Sequence, residues 1–271
     1  MWKRYHVGVF RVGRFGVVPA AGAGTRLAPY RAPKELIQVG YHDVGGRVLP
    51  KAAIEHVLTA MRGGGVGRAF VVLSPAKAEL LRYLGSGSYL GMDLAYVCQE
   101  VARGLPHALD LATPFLAGRT VCMGMPDTII SPDDGFARLL DFHDGTGADL
   151  SLGVYPTATP QALAPVVVEP GSYRVLAIVD KPEHPPADNT WGIAAWSPVF
   201  TELLHACVAD APPGPELLLS DIFVAAMTAG LRVHALTFPA GEFHDIGTPA
   251  GVLRAREALE APGGVLARRQ P

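Results

Sequence analysis

Three cysteines in 271 residues are too few for a disulfide-stapled scaffold. Cys98, Cys122 and Cys207 are odd in number and far apart, and two of them sit in apolar strand-like runs. They read as buried free thiols of a protein kept in a reducing cytoplasm. Charge is also scarce. Only 18% of residues are charged and the formal net charge is −2, so neither nucleic acid nor a membrane surface is expected as a partner. No stretch is long and apolar enough to cross a membrane, and residues 1–15 lack the apolar core of a secretion signal. Neither Cys-x-x-Cys nor His-Glu-x-x-His spacing occurs, which removes the common zinc sites. An anionic ligand must therefore be held by a local pocket.

What is present is an ordinary globular balance, 49% hydrophobic, in a chain long enough for one large core. Strand-like runs at 15–19, 69–74, 94–98, 120–125 and 150–155 alternate with helix-like segments at 50–61, 77–84, 105–116 and 135–142. That alternation predicts an α/β fold with a mostly parallel sheet flanked by helices, and ligands beyond the carboxyl ends of the strands. The second half is less regular. Runs at 166–168 and 175–179 flank Pro170-Gly171 as a hairpin would, followed by strands at 191–196 and 233–238 and helices at 199–208, 220–229 and 249–259. The simplest organisation is one domain over 15–261, with a nucleotide-binding half at 15–150 and a second half at 151–261. Residues 1–14 and 262–271 read as tails.

The most specific stretch is Ala20-Ala21-Gly22-Ala23-Gly24-Thr25-Arg26, with Pro33-Lys34-Glu35 close behind. A β-branched strand stops at a turn with two glycines, and two cations follow. Glycine lets the main chain adopt positive φ and bring its N–H groups against oxygens, while Arg26 and Lys34 can neutralise the charge that remains. Ala21, Gly22, Gly24 and Thr25 are thus candidate nucleotide-phosphate contacts. Two familiar glycine loops fail. The G-x-x-x-x-G-K-[ST] phosphate loop does not occur here, and a dinucleotide fingerprint meets Leu27 where its third glycine belongs, which disfavours a nicotinamide-linked dehydrogenase. Far from this loop, Asp127 follows the 120–125 strand and Asp245 precedes the last helix. Either could cap a turn. Together they form the set Mg2+ prefers, one or two carboxylates completed by phosphate oxygens and water.

The run Ala21-Gly22-Ala23-Gly24-Thr25-Arg26-Leu27 with Pro33-Lys34-Glu35, then Pro126-Asp127, Asp180-Lys181-Pro182 and Asp245-Ile246-Gly247-Thr248, resembles the sugar-1-phosphate nucleotidyltransferase family. The likeness is strongest to its thymidylyl- and uridylyltransferases, and the motifs occur in that family's order over roughly residues 15–260. The resemblance implies a Rossmann-like, GT-A-like fold. The implied reaction is Mg2+-dependent transfer of a nucleotidyl group from an NTP, UTP or dTTP, to a sugar 1-phosphate, releasing pyrophosphate. It implies Arg26, Lys34 and Asp127 as catalytic, Asp127 and Asp245 as the metal ligands, and Gln99 and Gly104 as readers of the pyrimidine. A Gln amide carries both a donor and an acceptor for that edge. Lys181 would hold the sugar phosphate, its backbone biased to an extended form by Pro182, with Glu169 and Gly192 near the sugar. Glu216, in a Glu-x-x-x-Ser-Asp segment, would be structural. Relatives often form homo-oligomers. Where such proteins carry a Tyr-Gly pair this chain has Ala164-Pro165, and proline offers no N–H, so the sugar is left open. A catalytically silent subunit that binds nucleotide sugars is the alternative on the same fold.

Overall fold

The computed structural model describes residues 13–44, 46–212 and 216–260, save the side chains of Val44 and Glu260. Most of both expected tails and the last residue of the expected domain lie outside them. The chain runs β1 (Arg14–Pro19), the glycine loop, β2 (Gln38–Val44), β3 (Arg47–Ala52), α1 (Ala53–Gly63), β4 (Arg68–Leu73) and α2 (Ala78–Leu84). It continues through β5 (Asp93–Cys98), α3 (Gly104–Asp110), β6 (Thr120–Gly124), β7 (Thr128–Ser131), α4 (Gly135–Thr146) and β8 (Leu150–Pro156). Then come β9 (Val166–Val168), β10 (Val175–Ile178), β11 (Asn189–Trp196), α5 (Pro198–Ala209), α6 (Leu219–Thr228), β12 (Val233–Thr237), β13 (Glu242–Asp245) and α7 (Pro249–Glu260).

Seven strands form the central sheet in the order β12-β8-β11-β6-β1-β4-β5. Its neighbours pair in parallel except β11, which runs antiparallel to both β6 and β8. The sheet is mixed and mostly parallel with helices on both faces, as expected. One face packs Val17, Val121 and Met123 against Phe200, Leu204 and Phe223 of α5 and α6. The other packs Val18, Val71 and Cys122 against Ile54, Leu58 and Met61 of α1 and Leu139 of α4. Coverage on both sides explains why β1, β4 and β6 read as near-continuous apolar runs. The chain builds β4 and β5 on one side of β1 and returns to place β6 on the other. The carboxyl ends of β1 and β6 therefore open onto a topological switch point, where α/β sheets bind ligands.

Two stretches depart from expectation. The helix expected at 50–61 begins only at Ala53, because Arg47–Ala52 pairs with Gln38–Val44 as a hairpin turned through Gly46 at φ +82°. The helix itself starts where Glu55 accepts a hydrogen bond from the Ala52 amide at 2.6 Å. The helix expected at 105–116 breaks after Asp110 into a short 3-10 turn, Thr113–Phe115, centred on Pro114, which has no amide hydrogen to continue it. The expected 166–168 and 175–179 hairpin is present as β9 and β10. Among the cysteines only Cys122 is buried, its thiol pushed up to about 12 by desolvation. Cys98, at the end of the edge strand β5, is exposed, and Cys207 is half-buried on α5. All three are free. Among the described residues no helix is long and apolar enough to cross a membrane.

Candidate functional site

The glycine loop leaves β1 with Ala20 donating to the Val72 carbonyl at 2.6 Å, then closes a 3-10 turn at Thr25–Leu27. Gly24 precedes that turn at φ +68°, where a side chain would be strained. A Cβ there would also meet the Lys34 methylenes at 3.6 Å. Gly22, Ala23, Thr25 and Arg26 are exposed, while Ala21 (6% exposed) and Leu27 (8%) anchor the loop's two ends in separate apolar clusters. A second 3-10 turn, Lys34–Leu36, carries the Lys34 ammonium onto the Asp127 carboxylate just beyond β6.

Asp127 and Asp245 are 118 positions apart in sequence (245 − 127), yet Asp127 directly precedes β7 and Asp245 ends β13, which pairs with it. β7 and β13 pair antiparallel with Asp245 opposite Thr128, and the Ile246 amide donates to the Asp127 carbonyl at 3.0 Å. Sequence inspection gave no sign of this two-stranded ladder. Asp245 accepts from the Gly247 amide at 2.7 Å and faces Arg26 Nη1 at 3.4 Å. A Cβ on Gly247 would stand 2.6 Å from Arg26 Nη2 and 2.8 Å from Asp245 Oδ1, so a side chain there would displace one of these two groups. Beneath, Leu27, Ile37, Ile129, Ile246 and Leu259 form an apolar cluster that holds the loop, β13 and α7 together. Both carboxylates thus meet cations of one segment, 26–34. Two carboxylates with no third acid are what Mg2+ takes when phosphate oxygens and water complete its shell. Among the described residues no cluster of three or more His, Cys, Asp or Glu side chains could hold a metal ion.

Gln99 lies just past β5 and is only 5% exposed. Its Nε2 donates to the Gly104 carbonyl at 3.2 Å and to His107 Nδ1 at 2.9 Å. Burial, with Arg103 nearby, lowers the His107 pKa and favours the neutral ring that can accept that bond. The donor end of Gln99 is therefore committed internally, which leaves its Oε1 as an acceptor. Gly104 opens α3 at φ +86°, with no room for a side chain: a Cβ would stand 2.5 Å from Glu216 Oε1.

The three residues expected around the sugar sit on different segments. Lys181 is exposed and its backbone is left-handed at φ +44°, not extended as Pro182 suggested. Its amide donates to the Leu163 carbonyl at 2.7 Å, and that bond turns the chain. Glu169 sits at the far tip of the β9–β10 hairpin in a bidentate pair with Arg174, at 2.7 and 3.2 Å, which holds its carboxyl below the ordinary value. Gly192 is at a bulge of β11, where a Cβ would touch the rings of Phe243 and Tyr155 at 3.0 Å. It lines a cavity of about 780 Å3 beside α1 and α4. A smaller cleft of about 120 Å3, lined by Leu105, Ala164, Asp180, Trp191 and Glu216, lies beside Gly104 instead. Asp180, of the Asp-Lys-Pro motif, and Glu216 are the two carboxylates among these lining residues.

A family model described as nucleotidyl transferase matches residues 15–261. The chain belongs to the nucleotidyl transferase family. A mannose-1-phosphate guanylyltransferase of Mycobacterium tuberculosis is 28% identical over 90% of this chain and 64% of its own length. A UTP–glucose-1-phosphate uridylyltransferase of Staphylococcus epidermidis is 23% identical over 88% of this chain and 89% of its own. The chain spans just under two thirds of the first curated relatives it matches, such as the mycobacterial protein. Among solved structures, UDP-glucose pyrophosphorylase from Acinetobacter baumannii superposes with a TM-score of 0.74 at 21% identity. The match covers 94% of this chain and 96% of that one, and shows a shared fold.

Proposed function

We propose that this nucleotidyl transferase family member moves a nucleotidyl group from an NTP, UTP or dTTP, to a sugar 1-phosphate, releasing pyrophosphate. One observation carries the reading. The loop that presents Arg26 and Lys34 meets two carboxylates, Asp127 and Asp245, brought from distant sequence to the same strand ends. In this reading 15–150 binds the nucleotide and 151–261 the sugar phosphate.

The attacking group, a phosphate oxygen of the sugar substrate, is already anionic and needs no general base. The protein's task is alignment and charge stabilisation on the transferring phosphorus. The exposed backbone of Gly22–Arg26 cradles the triphosphate. Arg26 swings from Asp245 to the α-phosphate and the leaving pyrophosphate. Lys34 moves little, because Gly24 and Asp127 confine it, and it holds the transferring phosphate. Gln99 Oε1 accepts from the base N3–H, and Lys181 neutralises the sugar phosphate at the cleft mouth. Asp127 and Asp245 would hold Mg2+, which would offset the negative charge of the phosphates. Asp180 and Glu216, beside Trp191, are the acceptors available to sugar hydroxyls in place of Glu169.

Pyrophosphate release measured with UTP, dTTP, CTP and GTP against glucose 1-phosphate and mannose 1-phosphate tests the reading. Arg26→Ala is expected to abolish release without loss of fold. Release at the parent rate in that variant removes its catalytic role. Nucleotide-sugar binding with no release from any pair points to the silent regulatory subunit.

A further inference from the structure

Glu35, the residue after Lys34, has a role that nothing above assigns. It is 1% exposed, and Lys77, 6% exposed, donates to its Oε1 at 2.6 Å. Lys77 closes the short 3-10 turn Pro75–Lys77 directly after β4. In a 3-10 turn successive side chains point about 120° apart, so neighbours diverge. Lys34 accordingly reaches Asp127 at the exit of β6, while Glu35 turns inward to the exit of β4. Sheet order places β6 and β4 on the two sides of β1. The turn therefore straddles the glycine loop, with one ion pair on each flank.

The inner pair is costly to keep. Glu35 Oε2 is buried with no hydrogen-bond partner among the described residues. Desolvation pushes its carboxyl above the ordinary value, against the pull of Lys77 and Lys34. Buried pairs with unmet oxygens are commonly no more stable than apolar replacements of the same shape. Stability is thus a poor reason for a charged pair here, and geometry is a better one.

We propose that the Glu35–Lys77 pair is a positioning device for Lys34. It fixes the 3-10 turn against the β4 exit so that the Lys34 ammonium stands over the phosphate cradle. This rests on the reading of Lys34 as a phosphate ligand. Lys34 has several rotatable bonds, and without an anchored backbone its ammonium would sample positions that miss the transferring phosphate. Misplacement by about 1 Å can cost on the order of a hundredfold in rate. The effect belongs in kcat, because the transferring phosphate is held tightest in the transition state.

The test compares Glu35→Gln, Lys77→Met and the double variant in steady-state pyrophosphate release and thermal melting, with Lys34→Ala as reference. Each single variant leaves one buried charge unpaired and is expected to melt lower, and the near-isosteric double to recover most of that loss. For kcat the expectation differs. It falls roughly tenfold or more in all three variants, with the KM for NTP changed less than threefold, and the double does not recover. A double variant with both parent melting temperature and parent kcat overturns the inference, as does a loss carried by KM alone. Should a single variant fail to fold, the double still decides. Lys34→Ala at parent kcat would instead sink the underlying reading of Lys34, so the two failures are distinct.

Discussion

Lys34→Met offers the sharpest check on the charge arrangement at the switch point. The substitution keeps an unbranched apolar stem, one atom shorter, and removes the ammonium that faces Asp127. That carboxylate is 6% exposed and Lys34 14% exposed, so the pair is largely withdrawn from water. Removing one partner of a buried pair costs roughly 3–5 kcal/mol, because the other charge stays desolvated. Lys34 keeps partial access to water, so the low end applies, about 3 kcal/mol. In a protein of this size that corresponds to a melting temperature lower by about 6–12 °C. Asp127→Asn should cost less, about 1 kcal/mol, since a long lysine stem can carry its charge outward. The double variant should sit near the Asp127→Asn value, giving a coupling of about 3 kcal/mol. Differential scanning calorimetry on the four proteins, without metal or nucleotide, supplies the numbers. A further consequence separates pairing from ligation. With its internal cation gone, Asp127 should bind Mg2+ more readily, and added Mg2+ should raise the melting temperature of Lys34→Met more than that of the parent. Strictly additive single losses, or an unshifted Lys34→Met, would refute the reasoning.

Two other outcomes follow from local geometry. Gly104→Ala places a Cβ at φ +86° and against Glu216 Oε1, and should cost about 1–2 kcal/mol by urea unfolding with an unchanged m-value. An unshifted midpoint would mean that the α3 entry has another conformation. His56 donates through Nε2 to the Val39 carbonyl at 2.6 Å, and burial, with Lys51 and His42 nearby, lowers its pKa to about 3. A base whose folded pKa lies below its unfolded value of 6.5 favours the native state above that pH. That contribution is lost as pH falls from about 6.5 toward 3, by up to about 1.4 kcal/mol per pH unit. His56→Gln keeps a donor for Val39, so the acid limb of its stability curve should be flatter than the parent's; superimposable limbs would count against a neutral buried ring.

The central strands β1, β6 and β8 were legible because their residues are buried on both faces, and such runs announce themselves without knowledge of neighbours. Gly24 and the cations around it were legible because a turn's backbone demands are local. The sequence carried the candidates Asp127 and Asp245 for the same reason, as residues at the ends of recognisable elements. Their meeting was another matter. It depends on pairing between β7 and β13, four-residue strands whose partners lie more than a hundred positions away, and no local periodicity encodes a partner. Side-chain direction was equally hidden. Glu169, Asp180 and Lys181 are close in sequence, yet the hairpin sends Glu169 to its tip and a 2.7 Å backbone bond turns Lys181 left-handed beside the small cleft. Glu35 shows the limit best. It was read only as part of a motif, and its inward turn to Lys77 follows from the 120° step of a 3-10 turn whose existence the tertiary packing decided. Chain chemistry thus named the charges, and the order of strands about β1 determined which of them face one another.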